Sequence, residues 1–258
     1  MLTHKGTKEL TTKRLKLRRF TVDDAQDMFN NWASDAEVTK FVSWLPHSTP
    51  DLTRELLGKW VEEYEKPDYY SWAIEYNGRL IGSIGAPSIT ERDERTEIGY
   101  CIARDCWNKG ITTEALEAVC NYLFDEVGFN RLEIRHATEN PASGKVAQKC
   151  GFIPEGIMRE SFRSSRGVFC DLVMLGRLKS DRNSADAANH ILLWAVDCTQ
   201  NKKPTPETKI GSRLELYPML YDCSGLFARI SFDTFFFIRV NALSTVFVLL
   251  PMLSAICA

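Results

Sequence analysis

An excess of charge of one sign, paired cysteines and an apolar N-terminal run are all missing from these 258 residues. The 34 acidic and 32 basic side chains leave a formal net charge of −2, which argues against a protein that coats nucleic acid and predicts no direct nucleic-acid partner. Eight cysteines stand at 101, 106, 120, 150, 170, 198, 223 and 257 without a single C-x-x-C pair, so no zinc framework is visible and no metal is expected. Free thiols in a reducing, cytoplasmic compartment are the expectation. The first twenty residues alternate charge and polarity with no apolar run before a small-residue cleavage site, which argues against a secretory signal. Neither G-x-x-x-x-G-K-[ST] nor G-x-G-x-x-G occurs, and no internal repeat is apparent.

What is present is a chain that is 44% apolar, enough to bury a real core in one or two domains. Composition changes at the polar stretch from Lys179 to Ser184, which predicts a folded domain over 1–180 and an extension over 181–258. Within the domain, Arg14 to Phe20 alternates as a strand does. Thr21-Val22-Asp23-Asp24 then offers a helix start ahead of Ala25, Met28, Phe29 and Trp32. A second helix is predicted from about Asp51 to Tyr64. Strands over 70–76 and 80–85 are joined by the turn Asn77-Gly78. A strand over 96–103, a helix over 112–126, a strand over 132–138 and a short helix from Asn140-Pro141 to Cys150-Gly151 follow. Two last strands, near 157–162 and 168–175, make a hairpin. The order β-α-α-β-β-β-α-β-α-β-β predicts an α/β fold, of mixed α+β type, with helices on the faces of a mixed sheet.

Two segments carry chemistry. Trp107-Asn108-Lys109-Gly110-Ile111-Thr112-Thr113 lies between a strand and a long helix, where free backbone N–H groups and the helix dipole suit a pyrophosphate; a plain connecting turn with a Thr cap explains it equally well. One strand later comes Asn140-Pro141-Ala142-Ser143-Gly144-Lys145, running on to Cys150-Gly151-Phe152. Together with Glu97-Ile98-Gly99-Tyr100, these segments resemble the GNAT superfamily of N-acetyltransferases, and most of all its RimJ/RimL-like branch of ribosomal-protein N-terminal acetyltransferases. The resemblance covers about residues 10–178.

That resemblance implies a GNAT-type fold with a twisted central sheet whose splayed strands admit the pantetheine arm of acetyl-CoA, the co-substrate. The family's phosphate loop R/Q-x-x-G-x-G/A maps onto Trp107 to Thr112, where only Gly110 matches outright and Thr112 replaces the small residue. Asn140 matches the asparagine that contacts pantetheine, and Ser143 falls where branch members place a hydroxyl near the thioester sulfur. Many relatives use a tyrosine acid one helical turn further on, and here that position is Ala147. Backbone N–H groups near Tyr100, Cys101 and Ile102 are expected to polarise the thioester carbonyl. Removing a proton from the attacking amine calls for a base, for which Glu160, Glu97 and His136 are candidates; each has an ordinary structural reading as well.

The aromatic residues Trp32, Phe41, Trp44, Trp60, Tyr69, Tyr70 and Trp72 are expected to pack the core or a lid rather than to bind substrate. Cys101, Cys106 and Cys150 read as small buried hydrophobes, because direct transfer needs no thiol nucleophile. The activity implied is direct transfer of an acetyl group to a primary amine, either a protein N-terminus or a small molecule, by a monomer or homodimer. A GNAT fold that binds acyl-CoA without turnover is the alternative. Residues 240–258 form an uncharged apolar end; a partner-docking segment or an unselected extension is favoured there over a membrane anchor.

Overall fold

Leu15 and Leu17 are buried while Lys16 between them is exposed, the period of two that one covered sheet face requires. They belong to β2 (Leu15–Arg18), which follows the two-residue β1 (Leu10–Thr11). The computed structural model describes residues 1–182, and six more strands complete its sheet. These are β3 (Ser71–Tyr76), β4 (Arg79–Thr90), β5 (Arg95–Ile102), β6 (Arg131–Ala137), β7 (Ile153–Arg163) and β8 (Phe169–Leu178). The spatial order is β1-β2-β3-β4-β5-β6-β8-β7, antiparallel throughout except for the parallel pair β5 and β6. Asn77 and Gly78 both take positive φ, the conformation that a two-residue hairpin turn demands, and so join β3 to β4.

Helices cover both faces. Helix α1 (Ala25–Met28) runs on as a wider π turn to Ala33, and with α2 (Pro50–Glu63) it packs Met28, Trp32 and Leu57 against Ala73 and Leu80. On the opposite face, α3 (Ile111–Asn121), continued by π turns to Val127, sets Ala115, Leu116 and Val119 against Leu17, Trp72, Ile74, Ile84 and Ile98. Helix α4 (Pro141–Lys149) joins that second core through Ala147. Trp32 and Trp72 are fully buried, and each such side chain is worth on the order of 2–3 kcal/mol in apolar burial.

The sheet parts at its centre. Ladder pairing between β5 and β6 joins only Arg95 to Glu97 with Arg131 to Glu133, although β5 continues to Ile102 and β6 to Ala137. A bulge in β4 accompanies the parting. Gly85 faces Gly99 and Ser88 faces Glu97, so Ala86 and Pro87 stand opposite Ile98 alone, and a bulge of this kind bends and twists its strands.

The structure differs from the sequence reading in its first strand, its first helix and the bounds of two long strands, among other points. Strand β1 is extra, too short to show a period. The first helix is broken into 3-10, α and π turns. Strand β4 extends to Thr90, and β7 starts at Ile153, because bulges in each reset the alternation that marks a strand. The expectations for the extension, including an apolar anchor over 240–258, lie outside the described residues. Among the described residues no helix is long and apolar enough to cross a membrane.

Candidate active site

The loop before α3 is shaped to present backbone N–H groups. Asn108 and Gly110 have φ of 60° and 71°, and Gly110 is the residue that opens the helix. The first N–H groups of an α-helix have no partner within it, so those of Ile111, Thr112 and Thr113 are left facing outward with the positive end of the helix dipole. Sequence reasoning missed the brace around this loop. Glu114 in the first turn accepts hydrogen bonds from the Thr12 hydroxyl at 2.6 Å, the Arg14 backbone N–H at 2.9 Å and the Arg14 guanidinium at 2.6 Å. Partial burial works to raise the Glu114 carboxyl, and these bonds outweigh it and hold the group below its ordinary value. Arg14 also donates to the Lys109 carbonyl at 3.1 Å. About a hundred positions separate the partners, so no local spacing could signal them. Trp107 is 42% exposed and donates its indole N–H to the Ile102 carbonyl at 3.1 Å.

The free edge of β5 supplies the next part. Ala103 donates its N–H to the Ile81 carbonyl at 2.8 Å, and alternation along an antiparallel pair then directs the N–H groups of Cys101 and Gly99 towards β4. Those of Tyr100 and Ile102 point the other way, into the gap where β6 has parted. Tyr100 and Ile102 thus turn their N–H groups to the gap, whereas Cys101 turns its backbone to β4 and its side chain to the core beneath α1 and α2. Burial pushes the Cys101 and Cys150 thiols up to about 12, and Cys106 upward as well, which leaves no thiolate near neutral pH.

At the start of α4, Asn140 caps the helix by accepting the Ser143 N–H at 3.4 Å. The Tyr100 hydroxyl reaches across from β5 to the Ser143 Oγ at 2.9 Å and the Ser143 carbonyl at 3.0 Å. Gly144 leaves room for His136, whose Nε2 would lie 2.5 Å from a Cβ at that position. The His136 Nδ1 donates to the Ala137 carbonyl at 2.8 Å, so this imidazole supports α4 from beneath.

Glu160 lies on a bulge of β7 with φ of 49°, a left-handed conformation that costs a side-chain-bearing residue about 1 kcal/mol. The Glu160 N–H donates to the Asp171 carboxylate at 2.8 Å, and the Asp171 carbonyl accepts the Thr138 N–H at 3.0 Å. Two hydrogen bonds therefore tie Glu160 to the end of β6 from which α4 departs. Arg159, Glu160 and Asp171 line an open recess. The hairpin beyond them meets the segment after α1, where Ser165 donates its N–H to the Val42 carbonyl at 3.2 Å. Glu97 is engaged by Arg135 across the β5–β6 pair, on the sheet face that also carries Glu133.

A helix N-terminus beside an opened parallel pair, with a hydroxyl and backbone donors at the opening, is the arrangement that the resemblance to acyl-CoA-dependent acyltransferases implies. Comparison with known proteins makes this specific: residues 14–153 match the acetyltransferase (GNAT) domain, and the chain belongs to the GNAT acetyltransferase family. It is 29% identical over 175 residues to the N-acetyltransferase p20 of Bacillus licheniformis, covering 67% of this chain and 97% of that one. It is 32% identical over 82 residues to the ribosomal-protein-serine acetyltransferase of Escherichia coli (strain K12), covering 32% of this chain and 46% of that protein. In fold it is similar to RimL, a ribosomal-protein α-N-acetyltransferase solved with coenzyme A. The TM-score there is 0.61 at 19% identity over 66% of this chain and 98% of that one. These relatives support the RimJ/RimL-like branch. The protein is an acetyl-CoA-dependent N-acetyltransferase, as the resemblance implied.

Proposed function

We propose that the acceptor is the α-amino group of a protein N-terminus, and that Glu160 and Ser143 carry the two proton transfers of the reaction. Transfer needs a neutral amine, and an α-amino group with a pKa near 8 is only about one-tenth neutral at pH 7. Glu160, an exposed carboxylate beside an open recess, takes the proton directly or through water. The N–H groups of Tyr100 and Ile102 stabilise negative charge on the thioester oxygen as the amine attacks. Ser143 delivers a proton to the departing sulfur. Asn140 holds the start of α4 and the pantetheine arm; Trp107, Asn108, Lys109, Gly110, Ile111, Thr112 and Thr113 hold the pyrophosphate; Glu97 keeps β5 and β6 in register through Arg135. We place the whole reaction within residues 1–180.

The observation that carries this reading is the pair of hydrogen bonds through Asp171 that brings Glu160 to the end of β6, where α4 and Ser143 begin. A recess open to solvent suits an extended chain end, and the Escherichia coli relative is named for acetylating a ribosomal protein. The test is thiol release from acetyl-CoA by the full chain, with peptides beginning Ser, Ala or Thr set against a panel of small amines. Turnover on the peptides, at least tenfold above that on the amines, is expected. Preference for a small amine would overturn the acceptor assignment, and full activity in Glu160→Gln would overturn the base.

A further inference from the structure

We infer that Tyr100 is the proton donor behind Ser143, a phenol supplied from strand β5 where many relatives supply one from the helix. The inference rests on Ser143 lying beside the departing sulfur. Position 147, one turn beyond Ser143, holds a fully buried alanine and offers no acid of its own. Tyr100 shares the sheet face of Ile98 and Ile102, turned towards α3 and α4. Its hydroxyl bridges both oxygens of residue 143, Oγ at 2.9 Å and the carbonyl at 3.0 Å.

That bridge has two hydrogen arrangements. When the phenol donates to the carbonyl, which only accepts, the Ser143 hydroxyl donates back to the phenol and its proton points away from the gap. When the phenol donates to Ser143 Oγ, the serine proton is released to point elsewhere. The second arrangement forms a relay. As the N–C bond forms and the C–S bond breaks, the sulfur's electron pair takes the Ser143 proton and Ser143 takes the phenol's. The proton lost by the amine, handed on through water, refills the phenol, so the sum is amine plus thioester giving amide plus thiol. Burial, only partly offset by the Ser143 hydrogen bond, pushes the phenol up to about 12, so Tyr100 carries its proton throughout the neutral range. An aliphatic hydroxyl alone is a far weaker acid than a phenol, which is what the second member of the relay contributes.

Steady-state kinetics of the full chain with acetyl-CoA and a turned-over peptide test the assignment. Tyr100→Phe, which keeps the ring and its packing, is expected to lower kcat about 100-fold with the acetyl-CoA KM changed less than threefold. Ser143→Ala should fall as far, and the double variant no further than the worse single, because the two act as a unit. Replacing Tyr100 by 2,3,5-trifluorotyrosine lowers the phenol pKa far more than a single fluorine would, with the shape nearly kept; an alkaline fall in kcat should then enter the range below about pH 9 where the fold holds, a shift that a packing role would not produce. An unchanged kcat in Tyr100→Phe, or a fluorotyrosine profile identical to that of the native chain, overturns the inference. Loss in Ser143→Ala with Tyr100→Phe fully active leaves Ser143 in place and removes Tyr100. Loss in Tyr100→Phe with Ser143→Ala fully active removes Ser143 and leaves the phenol as the direct donor, provided the fluorotyrosine shift is seen.

Discussion

Glu160 pays for its position with a left-handed backbone, held there by the Asp171 hydrogen bond. Two consequences separate its backbone from its carboxylate. Glu160→Gln should lower kcat by about 10²-fold at pH 7, the usual range for a general base, and the deficit should shrink above pH 8 as the α-amine deprotonates unaided; a pH–rate series checks this. Glu160→Gly should lose the same activity while gaining roughly 0.5–1 kcal/mol of stability, since glycine accepts positive φ without the Cβ penalty. A urea titration reads the second effect, and destabilisation would show that the bulge depends on the side chain. Ser143 was marked as a candidate by the resemblance and Gly110 by its place between a strand and a long helix, and both signals lie in neighbouring residues. The tie between Glu160 and Asp171 was not, since it depends on a register shift between two strands.

At the scale of elements, the proposed site is a junction between α3, α4 and the two parted strands. Gly144 is the contact point of α4 with β6, and a Cβ there would overlap the His136 ring. Gly144→Ala is expected to cost about 1–3 kcal/mol by overpacking and to lower activity, while His136→Ala in the same chain should restore much of both. Thermal melts and kcat of the three variants measure it; no rescue would mean that His136 does more than fill space. Arg14→Ala removes a brace from both the Lys109 carbonyl and Glu114. Its predicted signature is a three- to tenfold rise in the acetyl-CoA KM with kcat little changed, read from saturation curves. The helix and strand types were legible from apolar periodicity and turn residues. The bulge in β4 that accompanies the parting, and the bulge in β7 that carries Glu160, interrupt that periodicity and so hid themselves.

For the molecule as a whole, the tyrosines set an alkaline limit. Burial raises Tyr69, Tyr100 and Tyr122 to about 12 and Tyr70 further, against about 10 in an unfolded chain, and it raises the Cys101 and Cys150 thiols to about 12 against about 8.5. Because the folded values lie above the unfolded ones, the stabilisation is complete below the unfolded pKa and is lost as pH climbs towards the folded one. Stability should therefore hold to about pH 8 and decline steeply between about pH 9 and 12. Urea midpoints against pH test this, and a midpoint unchanged from about pH 8 to about pH 11 would contradict it.

Read alone, the sequence determined the class of fold, the helix that opens at Gly110, the cap at Asn140 and the absence of a tyrosine at position 147, because each of these is written in neighbouring residues. Tertiary structure decided which N–H groups of β5 face the gap, what Glu97 and Glu160 touch, and that Arg14 braces the loop before α3. It also decided that a phenol reaches Ser143 after all, from forty-three positions earlier in the chain. The physical reason is common to all of these: strand register and the parting of a parallel pair depend on bulges and on contacts between distant segments, and no local pattern of residue types encodes them.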